Sequence, residues 1–335
     1  MASFEQINAE NKGIPLFCAI FAHFFIAIKQ VVGYDESYTV AGNRGGEERS
    51  PGMYPIVKKR VLNETVTLME IQAPLVARKA QPGQFIIFRI DEEGERVPLT
   101  IAGYDREKGT VTIIFQKVGY TTEKLDLLNE GDALLDFVGP LGEPSHTDGI
   151  RRAAVIGGGL GVAIAYPQAK ALHDAGAEVD LIVGFRNEHL IILQDELTAA
   201  CTELTVMTDD GSNGHKGFVT QALAEKLEKG TQYDVVIAIG PMPMMKAVCD
   251  LTKPYGVKTI VSMNPIMIDG TGMCGGCRIT VGGETKFACV DGPDFDGHQV
   301  DWNEAMARSR MFRPEEARAK EKLHTCRLTG GIRNA

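Results

Sequence analysis

Asp269-Gly-Thr-Gly-Met-Cys274-Gly-Gly-Cys277, followed after eleven residues by Cys289, places four potential metal ligands at spacings of four, two and eleven. Spacing of four and then two is that of the C-x4-C-x2-C…C loop that holds a [2Fe–2S] cluster, here with aspartate in place of the first cysteine. Gly270, Gly272, Gly275 and Gly276 allow the unusual backbone angles of a tight wrap. They also leave amide N–H groups free to reach cluster sulfurs. A structural zinc site would use a similar donor set but usually shows two short knuckles. Only the pair Cys274 and Cys277 is short here, and Cys289 stands alone. A disulfide is the third alternative; seven cysteines in 335 residues, with no evident secretory leader, fit a reduced, cytoplasmic setting better. An aspartate before glycine is also a common turn residue, so Asp269 stands as ligand or as turn former.

Redox centres need neighbours that deliver electrons. Gly157-Gly158-Gly159-Leu-Gly161 follows an apolar strand pattern and opens a helical one. Amides at such a turn can cradle a pyrophosphate, although a tight strand–helix connection uses the same residues. Asp209-Asp210-Gly211 follows a later strand. Carboxylates there would accept from ribose hydroxyls and repel a 2′-phosphate, pointing to NAD over NADP; a solvated turn is the plain alternative. Gly240-Pro241-Met242 follows another strand, where glycine lets the backbone approach a nicotinamide, and the methionines of this stretch also suit core packing. Upstream, Arg96-Val-Pro98-Leu99-Thr100 and Lys117-Val-Gly119-Tyr-Thr121-Thr122 offer cationic and hydroxyl groups for a flavin diphosphate and ring edge, or simply the polar face of a strand.

The elements that must position these residues fall into blocks. From Met53 to about residue 150, short alternating segments (Thr65–Ile71, Gln84–Ile90, Pro98–Ala102, Thr110–Gln116, Ala133–Val138) predict an antiparallel β-barrel, with a helix at Thr121–Leu128. Residues 151–262 alternate strand and helix. Strands are expected at Ala153–Ile156, Val179–Val183, Leu204–Met207, Val235–Ala238 and Thr259–Ser262, and helices at Val162–Ala175 and Thr220–Lys229, which is an α/β doubly wound sheet. A cluster loop subdomain at 263–300 and a charged helical tail at 301–335 follow. Residues 1–52 read either as an extension foreign to the rest, with Met53 as the natural start, or as a marginal helix lying on the domain; the apolar run Ile14–Ile28, broken by His23, is too short to span a bilayer. No internal repeat is visible. A net charge of −9 argues against nucleic-acid binding, while 44% hydrophobic and 24% charged residues are ordinary globular material. Cys18, Cys201, Cys249 and Cys326 have no partner at a ligand spacing; Cys201 and Cys249 read as buried small apolar residues.

From Met53 to Trp302 the order of these motifs, continuing through Phe287-Ala-Cys-Val-Asp-Gly-Pro293, resembles the ferredoxin–NADP reductase superfamily. Within it, the chain is similar to the branch of dihydroorotate dehydrogenase electron-transfer subunits. The family's flavin arginine lies three residues before its Ser/Thr; that place is Val97 here, and Arg96 sits one earlier. The resemblance implies one FAD, one NAD(H) and one [2Fe–2S] cluster held by Asp269, Cys274, Cys277 and Cys289. It further implies an oxidoreductase in which hydride passes between NADH and flavin, and single electrons pass between flavin and cluster. No acid–base residue is needed for that, so no catalytic side chain is assigned. The implied partner is a larger, glutamate-synthase-like flavin and iron–sulfur subunit handling NADP and ferredoxin, in a complex able to bifurcate electrons. Aspartate as first ligand favours that complex over dihydroorotate dehydrogenase itself, where the ligand is cysteine. A non-catalytic iron–sulfur redox sensor is the alternative from a different class.

Overall fold

In the computed structural model residues 54–318 are described. The expected extension 1–52, the run Ile14–Ile28, Cys18 and Cys326 lie outside them. Seven strands, β1 (Tyr54–Val61), β2 (Val66–Gln72), β3 (Phe85–Arg89), β4 (Val97–Asp105), β5 (Thr110–Gln116), β6 (Ala133–Leu134) and β7 (Asp136–Leu141), form one sheet in the order β6-β1-β2-β5-β4-β3-β7. All its pairings are antiparallel. The two edge strands are separated only by Leu135, so the sheet is nearly closed on itself. Met69, Ile71, Ile86, Phe88, Ile113 and Phe115 fill the interior. Alternation along β3 explains its unbroken apolar run. Ile86 and Phe88 face the barrel, whereas Phe85 and Ile87 join a second core outside it. A strand buried on both faces has no polar side to show.

Five parallel strands follow, β8 (Arg152–Gly158), β9 (Glu178–Phe185), β10 (Glu203–Thr208), β11 (Val235–Ile239) and β12 (Thr259–Ser262), ordered β10-β9-β8-β11-β12. Every residue of β11 is buried, as a strand covered by helices on both faces requires. The strand order reverses between β8 and β11, the switch point where open α/β sheets bind ligands. Val66, Leu68, Ala102 and Ile114 of the barrel share one apolar core with β8, β9 and the helix Gly161–Asp174. The two sheets are thereby packed against each other rather than tethered by a linker.

The C-terminal segment adds a hairpin, β13 (Arg278–Val281) and β14 (Glu284–Phe287), and a strand β15 (Asp294–Asp296) that runs antiparallel to β12. It has no core of its own: Cys277, Ile279, Ala288, Cys289 and Phe295 pack with Met245, Val261 and the β3 residues Phe85 and Ile87. The helix Trp302–Arg308 closes it, its N-terminus capped by the Asp301 carboxylate, which accepts the Glu304 amide at 3.0 Å. Of the expected helical tail, the described residues hold this helix and an exposed turn of helix at 313–318.

Candidate functional site

A cleft of about 1240 Å³ runs from the barrel to the carboxyl edge of the parallel sheet. That is more than one drug-sized ligand fills, and enough for two nucleotide cofactors laid toward each other. On the barrel side, Pro98, Leu99 and Thr100 of β4 form its wall; on the sheet side, Gly158, Gly159, Gly161, Asp209, Gly240 and Pro241 do so. The glycine turn fits a pyrophosphate for two separate reasons. Gly159 is left-handed, at φ +56, with open space where a Cβ would stand, whereas a Cβ on Gly161 would lie 2.4 Å from the Ile239 carbonyl oxygen. The first glycine opens the backbone to the cleft; the second lets the helix approach the sheet. The helix Gly161–Asp174 starts at Leu160 with no side-chain cap, leaving its N-terminus to a ligand.

Other expected binding residues have different places. Arg96 is not on the cleft wall: its Nε donates to the Ile268 carbonyl at 2.9 Å, and Nη1 lies 4.0 Å from Asp136. Arg96 stands just before β4, and its guanidinium is turned to the Ile268 carbonyl, while Val97 and the three residues after it line the cleft. Lys117 pairs with Asp126 at 3.3 Å, and Thr121 donates to Glu95 at 2.7 Å. Gly119 and Thr122 build the start of the helix Tyr120–Leu127, the Thr122 hydroxyl accepting the Gly119 amide at 3.1 Å. Gly157 is buried under the turn, and Met242 is buried in the core shared with the cluster segment. Asp210 shapes its own turn, accepting the Ser212 amide and hydroxyl at 2.9 and 2.7 Å, which hold its carboxyl below the usual range. Gly211, at φ +81, completes that turn. Sequence reasoning missed Arg186, Phe218 and Asn264, which also line the cleft. Phe218 precedes a helix and stays 61% exposed, an unusual place for a large apolar side chain and the one signal that marks it.

The cysteine loop lies against the outer face of the barrel. A Cβ on Gly270, at φ +77, would stand 2.7 Å from Leu141 of β7 and 3.0 Å from Ile87 of β3. Cys277 and Cys289 are buried and Cys274 half-buried, all three free thiols. Amides point at their sulfurs: Gly276 to Cys274 and Cys289 to Cys277, each at 3.4 Å, with the Gly272 amide directed to Cys289. Burial and the neighbouring Cys277 push the Cys289 thiol up to about 12. Both Asp269 oxygens already serve the loop, accepting the Thr271 amide at 2.9 Å and the Cys274 amide at 2.8 Å. A carboxylate retains further lone pairs, so these bonds orient Asp269 without exhausting it. Among the described residues, no three His, Cys, Asp or Glu side chains converge as they would around one ion. Buried sulfurs, amides aimed at them and a carboxylate fixed by its own loop are a donor set that fits an iron–sulfur cluster. Cys201 and Cys249 are buried elsewhere, and burial raises both thiols, Cys249 to about 12.

Comparison with known proteins places these parts. Residues 264–301 match the iron–sulfur cluster binding domain of dihydroorotate dehydrogenase B, and residues 155–250 match the oxidoreductase NAD-binding domain. An uncharacterised protein in the adh 3′ region of Clostridium beijerinckii is 53% identical over 276 residues, which is 80% of this chain and 93% of that protein. A Thermotoga maritima homologue of the dihydroorotate dehydrogenase B (NAD+) electron-transfer subunit is 45% identical, covering 80% of this chain and 94% of its own length. Among solved structures, a chain of an NADH-dependent reduced ferredoxin–NADP oxidoreductase, described in connection with flavin-based electron bifurcation, superposes with a TM-score of 0.77 at 43% identity. It covers 84% of this chain and 99% of its own. The ferredoxin reductase of carbazole 1,9a-dioxygenase, at 21% identity and a TM-score of 0.52, covers 61% of this chain and 65% of its own; it shares the fold.

Proposed function

Since the chain belongs to the family of dihydroorotate dehydrogenase B electron-transfer subunits and their homologues, we propose that the cleft and the cysteine loop work as the two ends of one electron path. The protein is an oxidoreductase, an electron-transfer subunit carrying NAD(H), FAD and an iron–sulfur cluster on a ferredoxin–NADP reductase-type fold. When bound, FAD supplies the exchange between a hydride pair and single electrons, and the cluster supplies one-electron transfer. One observation carries the reading: β3 and β4 are adjacent, β4 walls the cleft with Pro98, Leu99 and Thr100, and the cluster loop packs on the outer side of β3 at Ile87.

The chain's own residues then have distinct work. Gly158, Gly159 and Gly161 bring backbone to a pyrophosphate. Asp209 accepts from a ribose hydroxyl and excludes a 2′-phosphate. Gly240 and Pro241 leave room for the nicotinamide, and Asp269, Cys274, Cys277 and Cys289 hold the cluster. We assign residues 53–150 to the flavin domain, 151–262 to the NAD domain, 263–300 to the cluster subdomain and 301–335 to the tail; the change of sheet between β7 and β8 supports the first division. Anaerobic NADH added to the chain loaded with flavin and cluster is expected to bleach the flavin absorbance and elicit the EPR signal of a reduced cluster. A loaded chain that NADH leaves oxidised is a sensor, and the reading fails.

The partner we propose is a larger, glutamate-synthase-like subunit handling NADP and ferredoxin in the cytoplasm. Similarity to a chain of a ferredoxin–NADP oxidoreductase and the aspartate at position 269 support it. The match at 264–301 favours a second reading, service to a dihydroorotate dehydrogenase. Mass spectrometry of the native complex separates the two by the co-purifying subunit. No helix among the described residues is long and apolar enough to cross a membrane.

A further inference from the structure

Two arginines far apart in sequence reach the cysteine loop at two different carbonyls. Arg96, at the foot of β4, donates from Nε to the Ile268 carbonyl at 2.9 Å; Arg308, on the helix Trp302–Arg308, donates from Nη2 to the Gly276 carbonyl at 3.0 Å. Ile268 immediately precedes Asp269, and Gly276 immediately precedes Cys277. Each guanidinium therefore grips the peptide that enters a proposed ligand residue. Both are held from behind. Arg96 lies 4.0 Å from Asp136, which also accepts from Arg89 at 2.7 Å. The helix of Arg308 is fixed by Trp302, whose indole N–H donates to the Gly297 carbonyl at 3.1 Å.

We propose that Arg96 and Arg308 form a clamp on the cluster loop, positioning residues that fix its two entry peptides and, by their charge, favour the reduced cluster. Three thiolates and a carboxylate make the ligand set strongly anionic, and reduction adds one more negative charge. A fixed cation close to the loop stabilises the reduced state more than the oxidised one, since net charge and nearby dipoles set the potential of such a centre. The Arg308 bond is partly buried, so solvent screens it less than the exposed Arg96 bond. Arg96 also ties the entry to the strand that walls the cleft to the loop that holds the cluster.

This rests on the cluster reading above, and the test separates the two. Wild type, Arg96→Gln, Arg308→Gln and their Lys counterparts are loaded with iron, sulfide and FAD and titrated electrochemically with EPR detection. Each Gln variant is expected to lower the ratio of reduced to oxidised cluster at a fixed ambient potential by roughly three- to tenfold, the upper figure being about 59 mV for a one-electron couple. Each Lys variant, which keeps the charge, is expected to stay near wild type. Gln variants that lose the cluster while Lys variants keep it also support the clamp. Gln variants with the wild-type potential overturn it, as does equal behaviour of Gln and Lys. Loss of FAD from Arg96→Gln with an unchanged cluster overturns the assignment of Arg96. If wild type itself retains no iron and sulfide, the cluster reading falls rather than the clamp.

Discussion

The turn Gly157–Gly161 and the loop Asp269–Cys277 both thread glycine through a cofactor site, yet they are held differently. The turn is set by backbone packing between a strand and a helix: Gly161 sits so close to Ile239 and Gly240 that no side chain fits between them. The loop is set by polar side chains, its own Asp269 and the distant Arg96 and Arg308. Packed backbone tolerates no added atom but needs no partner. A loop held by side chains can be retuned one residue at a time. The difference suits the work, since a nucleotide site needs a fixed shape and a redox centre needs an adjustable potential.

The sharpest way to break the comparison is to remove a ligand. Cys277 and Cys289 are 1% and 2% exposed, and alanine at either is expected to lower iron and acid-labile sulfide per chain by more than about tenfold while FAD and NADH binding persist. Loss of NADH binding as well would mean that the two loops are not separable. Next in size is Gly161→Ala. Its methyl meets backbone that cannot swing aside, so a loss of about 1–3 kcal/mol in denaturant unfolding and a weakened NADH affinity are expected, with iron content unchanged. Gly270→Ala tests the other side. The added methyl meets only the ends of Leu141 and Ile87, which can move, leaving mainly the left-handed backbone penalty of about 1–2 kcal/mol. Its effect should appear in cluster retention and not in NADH binding.

The two loops also differed in how far the sequence disclosed them. Spacing alone marked the cysteines, and strand patterns placed β5 at Thr110–Gln116 and β12 at Thr259–Ser262 to the residue. Both follow from local rules, periodicity and turn chemistry. What the sequence hid is what reaches across it. Arg96 reads as a flavin ligand because it stands beside the right strand, and only the folded chain shows its guanidinium bonded to the cluster loop at Ile268, 172 residues away. The strand β15 completes a sheet whose other strands lie upstream, so its three residues carry no periodic signal of their own. Lys117, Thr121 and Thr122 have the chemistry of a phosphate site, but local hydrogen bonds engage them in a helix start and ion pairs.

The smallest effect comes from a side chain that fastens the cluster segment to both sheets. Asp294 on β15 accepts from Ser145, past the end of the barrel, at 2.6 Å, and from Gln168, on the helix Gly161–Asp174, at 3.3 Å. Its Oδ1 and the Gln168 Oε1 are both sealed from solvent without a hydrogen-bond partner. Burial pushes its carboxyl above the ordinary aspartate range, against the pull of Ser145, Ser262, Gln168 and nearby His146. With the folded value raised, the unfolded chain gives up this proton first as pH increases. The stability it contributes is therefore whole below the ordinary aspartate value of about 4 and drains as pH rises toward the folded value. Asparagine mimics the protonated acid and cannot ionise. Asp294→Asn is accordingly expected to flatten the fall in unfolding midpoint above that pH, and at neutral pH to match or exceed wild type by up to about 1 kcal/mol. Urea titrations of the cofactor-loaded protein across pH read this directly. An unchanged slope would mean that Asp294 is already ionised in the folded state, and that the cluster segment is fastened by a buried charge rather than by a neutral acid.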